Sequence, residues 1–125
     1  MKLVMPISSD RIAGVFDFAR QLLVVEYEEG RKVSRKELRL DEAPPVNRAR
    51  RLQALGKSML ICGAISRSVV EHLAGSGIDV IPFVSGRVEE VLPAYFAGRL
   101  DSAAFLMSGS TSQERSEWRS RGRIR

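Results

Sequence analysis

The sequence predicts an α/β protein of one domain, built on a mixed five-stranded sheet with strands in the order 3-2-1-4-5 and flanked by helices. Three observations lead there. Met59 to Arg87, MLICGAISRSVVEHLAGSGIDVIPFVSGR, reads as strand, helix, strand, and a crossover this short leaves its two strands parallel and adjacent. Upstream, three β-rich segments joined by short turns read as an antiparallel meander. The 125 residues, 44% of them hydrophobic, are enough for one core of modest size.

Each element has its own justification. Lys2 to Ser8 is the first strand, with Pro6 tolerated near its end. Ser8-Ser9-Asp10 begins a loop that runs through Gly14. Leu22 to Tyr27 and Lys32 to Leu40 are the second and third strands, joined by Glu28-Glu29-Gly30-Arg31, whose glycine suits a tight hairpin. Leu38 and Leu40 alternate with Glu37 and Arg39, the pattern of a half-exposed edge strand whose cations oppose edge-to-edge pairing. Asp41 to Val46, with Pro44-Pro45, breaks the pattern. Asn47 then caps a helix over Arg48 to Leu55, with Ala49, Leu52 and Leu55 as its apolar face.

Met59 to Cys62 is the fourth strand, and Gly63-Ala64-Ile65-Ser66 the bend that opens the next helix. Ser66 or Ser68 can cap it, Ser68-Val69-Val70-Glu71 matches a capping box, and Gly75-Ser76-Gly77 ends it. Ile78 to Phe83 is the fifth strand. Ser85 caps a last helix with Val88, Val91, Leu92, Tyr95 and Phe96 on its apolar face, in which Pro93 predicts a kink or a break. Ala103 to Met107 can cover a little more core. The domain therefore spans residues 1–107, and residues 108–125 form a basic tail expected to be disordered, with Trp118 unpacked in it. This layout resembles the ribonuclease H-like architecture.

Composition narrows the function. No apolar run approaches the roughly 18 residues of a membrane span, and the start lacks the long apolar stretch of a signal peptide, so a cytoplasmic protein is expected. One cysteine excludes an internal disulfide. The net charge of +5 points to anionic partners. Arg31, Lys32, Arg35, Lys36, Arg39, Arg48, Arg50 and Arg51 read as a solvated basic surface, and five arginines crowd the tail. Nucleic acid is disfavoured as a partner, because 6% aromatic content supplies no stacking platform.

An enzyme reading lacks its groups. The first and fourth strands carry no acid for a two-metal site, Asp10, Asp17 and Asp79 are scattered, and His72, the one imidazole, flanks its helix's apolar face. A nucleotide site would need more than the weak GAIS turn. The protein is therefore read as not an enzyme.

Ligands in such sheets gather outside the carboxyl ends of the strands, here Cys62 to Arg67 and Phe83 to Arg87. Cys62 is the metal-binding candidate: beside small residues and a helix N-terminus its thiolate would be stabilised, and thiolates select iron–sulfur chemistry. It is equally a small buried apolar side chain. Gly63, Ala64, Ser66 and Arg67 form an anion-friendly turn, and Arg87 opens the next helix at a comparable place. Both arginines also read as ordinary surface cations.

The opening KLVMPIS, the segment VFDFARQLLVVEYEEGR, the turn ICGAISRSVVEHL and the ending GIDVIPFVSGRVEEVLPAYFAGRL together resemble the dinitrogenase iron-molybdenum cofactor biosynthesis family, the NifX-type domain, from Met1 to about Leu100. Many members carry His-Phe-Gly where this chain has Val15-Phe16-Asp17, and the turn after the fourth strand here supplies a thiol. The resemblance implies a non-catalytic carrier of an iron–sulfur or iron-molybdenum cluster precursor. Cys62, Gly63, Ala64, Ser66, Arg67 and Arg87 would hold the cargo, and a metallocluster-assembly protein or target apo-protein would be its partner. The alternatives are a regulatory or protein-binding domain of the same fold and, behind it, a nucleic-acid-binding protein.

Overall fold

A computed structural model describes residues 1–29, 31–40, 45–107, 109 and 115. One sheet runs through the molecule, with strands β1 (Lys2–Ser8), β2 (Arg11–Ile12), β3 (Gln21–Glu28), β4 (Arg31–Arg39), β5 (Ser58–Ile61) and β6 (Ile78–Ile81). Its order is β4-β3-β1-β5-β6, with β2 paired to β1 off this path. β1, β3 and β4 are antiparallel neighbours, whereas β1, β5 and β6 run parallel. The sheet has six strands where five were expected. The sixth is β2, which folds back on β1 through Ser9 and Asp10 to pair Ile7 with Ile12. Ser9 takes the left-handed conformation, φ 56°, that so tight a reversal requires. Two residues are too few to show a period in sequence.

Side-chain alternation along the strands divides the interior in two. Leu3, Met5 and Ile7 of β1, Leu23 and Val25 of β3, and Met59 and Ile61 of β5 point to the face covered by α3 (Val88–Phe96). Val4, Leu22, Leu60, Cys62, Ile78 and Val80 point to the other face, under α1 (Pro45–Ala54) and α2 (Arg67–Ala74). Each helix contributes a short stripe: Ala49 and Leu52 from α1, Val69, Val70 and Leu73 from α2, Val88, Val91 and Leu92 from α3.

Several local expectations are corrected. α1 begins at Pro45, so Asn47 lies inside the helix instead of capping it. Ser66 occupies the N-cap of α2 and Arg87 that of α3, neither with a side-chain capping bond, so neither the Ser68 capping box nor Ser85 acts as a cap. α3 is continuous through Pro93. The proline lies on the exposed face and removes only its own hydrogen bond, so the buried stripe keeps the helix in one piece. β4 is exposed on both faces at every residue but Leu38. Arg48, read as a surface cation, is buried and donates from Nη1 to the Ala19 carbonyl.

After α3 the chain forms a short 3-10 turn, Ala103–Phe105, and Leu106 bridges to Val84. The Asp41–Pro44 break, Trp118 and nearly all of the 108–125 tail lie outside the described residues. Arg115 of that tail is described and is 1% exposed.

Candidate functional site

Three loops leave the carboxyl ends of the parallel strands: Ser9–Arg20 after β1, Cys62–Ser66 after β5 and Pro82–Arg87 after β6. They are laced together by main-chain hydrogen bonds. Between the first and second, Ala64 N donates to Gly14 O (2.9 Å), Phe16 N donates to Ala64 O (2.8 Å), and Val15 bridges Ala64. Between the second and third, Phe83 N donates to Gly63 O and Val84 N to Cys62 O, each at 2.9 Å. Between the first and third, Ile12 N donates to Gly86 O (3.0 Å), Val88 N donates to Asp10 O (2.8 Å), and Arg87 Nε meets Asp10 Oδ2 at 3.2 Å.

Gly63 is what lets the first two loops approach. A Cβ at this position would stand 2.5 Å from the Gly14 carbonyl oxygen and 2.7 Å from that of Ala13. The expected binding turn is thus the point of closest packing between loops, and part of its anion-binding capacity is already used. The Ala64 amide serves Gly14, and the Ser66 amide donates to Asp17 Oδ1 at 3.3 Å. Asp17 comes from the 3-10 turn Phe16–Phe18, so a carboxylate from the first loop sits at the N-terminus of α2.

Cys62 lies beneath this lacing. Its place in the alternation of β5 turns the thiol toward α2, among Phe16, Ile65, Val69 and Val70, with no exposure. Burial pushes its pKa well above the ordinary thiol value, Asp17 adds to the rise, and Arg115 opposes it. Of the two sequence readings of Cys62, the buried apolar side chain is the one seen, and desolvation outweighs the helix terminus that would stabilise a thiolate. Arg67 is exposed at the first position of α2, while Arg87 is exposed and drawn to Asp10. The predicted residues are therefore dispersed: Cys62 in the core, Gly63, Ala64 and Ser66 in the loop lacing, and the two arginines on its surface.

The open space lies on the far side of the first loop. A cleft of about 590 Å³ is lined by the end of β1 (Ile7 to Ser9), by Ala13 to Val15, by Phe18 to Gln21 and by Arg39 of β4. Its rim carries two arginine residues, Arg20 and Arg39, together with two apolar side chains held out to solvent, Phe18 at 79% exposure and Val15 at 38%. Arg48 holds the floor of this loop through the Ala19 carbonyl, and its Nε has no partner among the described residues. Sequence reasoning missed the cleft. The available signal was Phe16-Asp17-Phe18, two aromatic rings so close in sequence that a helical turn cannot place both on one face; Phe16 is buried and Phe18 exposed.

A sequence model described as dinitrogenase iron-molybdenum cofactor matches residues 1–98. The chain belongs to the dinitrogenase iron-molybdenum cofactor family. Both sets of residues, the laced turn and the cleft, fall within the family-matched stretch. Solved structures share the fold. PH0822 superposes with a TM-score of 0.77 at 18% identity, over 88% of this chain and 96% of that one. MJ0327 of Methanocaldococcus jannaschii gives 0.67 at 18% identity, over 79% and 90%. The apo form of the orange protein of Desulfovibrio gigas gives 0.66 at 17% identity, over 87% and 93%. At these identities the likeness is one of fold. No protein of curated function matches the chain by sequence.

Metal ligation by this family member's own side chains finds little to work with. Among the described residues, no group of three or more His, Cys, Asp or Glu side chains converges. With one cysteine and one histidine in the chain, a cluster that needs several protein thiolates or imidazoles does not fit the described residues. Among the described residues, no helix is long and apolar enough to cross a membrane.

Proposed function

We propose that the chain is a non-catalytic carrier that takes up an iron-molybdenum or iron–sulfur type cofactor precursor as a preformed anionic unit and passes it to a partner apo-protein. One observation carries the reading: the cleft beside the laced loops joins two arginines to exposed apolar groups. Guanidinium groups are weakly hydrated and match multi-oxygen or multi-sulfur anions with several donors at once. An exposed ring such as Phe18 offers sulfur a favourable contact. Cargo held this way can leave without breaking a metal–protein bond, as a hand-over requires.

On this reading the cofactor-binding residues shift from the predicted set. Gly63, Ala64 and Ser66 support the first loop, Arg67 and Arg87 add positive potential, and Cys62 is structural. The ribonuclease H-like description goes with the proposal, as does a cytoplasmic location, whereas the expected boundary at residue 107 leaves out Arg115, which is buried against the domain. A metallocluster-assembly protein or target apo-protein would then find a basic surface in β4, which is solvent-exposed and bears Arg31, Lys32, Arg35, Lys36 and Arg39.

The test is anaerobic titration of the full chain with tetrathiomolybdate, and in parallel with iron plus sulfide, followed by metal analysis and visible spectra. Stoichiometric uptake of the preformed anion is expected, weakened at least tenfold, about 1.4 kcal/mol, in the Arg20→Ala/Arg39→Ala double variant. Iron plus sulfide alone should leave the protein colourless. Equal uptake by wild type and the double variant, or none by wild type, would overturn the assignment.

A further inference from the structure

We infer that Arg115 is a positioning residue for the site: from beyond the family-matched stretch, it locks the loop between β6 and α3, and with it Arg87, in place. The inference rests on the carrier reading only for what that loop serves.

The guanidinium is buried, and each of its five N–H groups has an acceptor. Nε donates to Pro82 O at 2.8 Å; Nη1 donates to Leu100 O at 2.6 Å and Asp101 Oδ1 at 3.3 Å; Nη2 donates to Phe83 O at 2.9 Å and Phe105 O at 3.0 Å. Four of these acceptors are main-chain carbonyls, and they come from three separate stretches of chain. A lysine, with three donors on one nitrogen, cannot reproduce the set. Among the described residues the carboxylate it meets is that of Asp101, which is 78% exposed.

The loop that Arg115 grips needs holding. Phe83 has φ 62°, a conformation that bulky L residues seldom adopt, and Gly86 has φ 141°. The Phe83 carbonyl also accepts from Met107 N, and Ser85 N donates to Phe105 O, a second carbonyl that Arg115 holds. On its opposite side the same loop bonds Gly63 through Phe83 N and Ile12 through Gly86 O, before Arg87 reaches Asp10. A shift of Pro82 and Phe83 would therefore reach both other loops. The family match ends at residue 98, so this clamp comes from outside it.

Full-length Arg115→Met and Arg115→Lys, compared with wild type well below their melting temperatures, test the assignment by amide hydrogen exchange and tetrathiomolybdate titration. Exchange at Ser85 and Met107 should rise at least tenfold in both variants, while Val4 and Val24 in the central strands stay protected. If wild type binds the anion, Arg115→Met should bind it several-fold more weakly. Unchanged exchange at Ser85 in a folded Arg115→Lys would overturn the inference, as would a uniform rise that includes Val4 and Val24, since that marks global destabilisation. Faster exchange at Ser85 and Met107 alone, in a protein whose wild type takes up no anion, would uphold the clamp and sink the carrier reading.

Discussion

Gly63→Ala is the sharpest probe of the laced loops. The added methyl would begin 2.5 Å from Gly14 O and 2.7 Å from Ala13 O, so the first loop must retreat until ordinary contact near 3.4 Å is restored. Both obstructing atoms are main-chain, and no flexible side chain can yield instead. A retreat that large breaks the 2.9 Å bond from Ala64 N to Gly14 O and strains the 2.8 Å bond from Phe16 N to Ala64 O. Each such bond contributes about 1 kcal/mol net, and overpacking at a tight contact costs about 1–3 kcal/mol. A destabilisation of about 2–4 kcal/mol follows, which at roughly 4 °C per kcal/mol for a chain of this size lowers Tm by about 8–16 °C. Calorimetry or urea unfolding measures it. Gly14→Ala is the control, because a Cβ there meets nothing within 4 Å. A Gly63→Ala protein melting within about 2 °C of wild type, or a Gly14→Ala protein destabilised as much, would refute the close approach.

Three further outcomes are expected. Cys62→Ser, which buries a hydroxyl among apolar side chains, should cost about 1–3 kcal/mol of stability yet leave anion uptake intact; loss of uptake from a folded variant would return the thiol to the site. The native state holds the Cys62 proton more tightly than the unfolded chain does. Its contribution should therefore be full below about pH 8.5 and fall above it by at most about 1.4 kcal/mol per pH unit, a slope that Cys62→Ala should lack in urea unfolding at pH 8 to 10. Tyr27, raised to about 12 chiefly by burial, adds its own decline only above pH 10. Phe18→Ala should change stability by no more than about 0.5 kcal/mol, because the ring is exposed, while weakening tetrathiomolybdate binding; full binding would remove the ring from the site.

The parallel strand, helix, strand unit and the antiparallel meander were readable because period-2 alternation and glycine-bearing turns are local signals. For Cys62 the sequence left a ligand and a buried apolar side chain both open, although the cue to its burial was local. Leu60 and Cys62 share one face of β5, and the apolar stripe of α2 covers that face, so parity alone directs the thiol inward. The capping of α2 was not local: its carboxylate arrives from Asp17, 49 residues before Ser66. Arg115 had no readable pattern at all. One arginine in the polar run Gln113-Glu114-Arg115-Ser116-Glu117 looks solvated, and its burial depends on carbonyls that converge only once three separate stretches have folded.

The substitutions against the common family pattern act in one direction. Where many members carry His-Phe-Gly, this chain has Val15-Phe16-Asp17, so the imidazole position holds an apolar side chain that pairs through its backbone with Ala64. The glycine position holds a carboxylate that takes the Ser66 amide and pushes the pKa of Cys62 further up. Each change lowers the capacity for direct metal ligation, and the second also removes a donor that a bound anion would use. On the proposed carrier reading, the anion is met instead by Arg20 and Arg39 at the cleft. If that is the logic, Asp17→Gly should release the Ser66 amide and raise affinity for tetrathiomolybdate without help from Cys62, so the gain should persist in Asp17→Gly/Cys62→Ala. A gain that vanishes in the double variant would mean that the thiol, and not the amide, had been held in check.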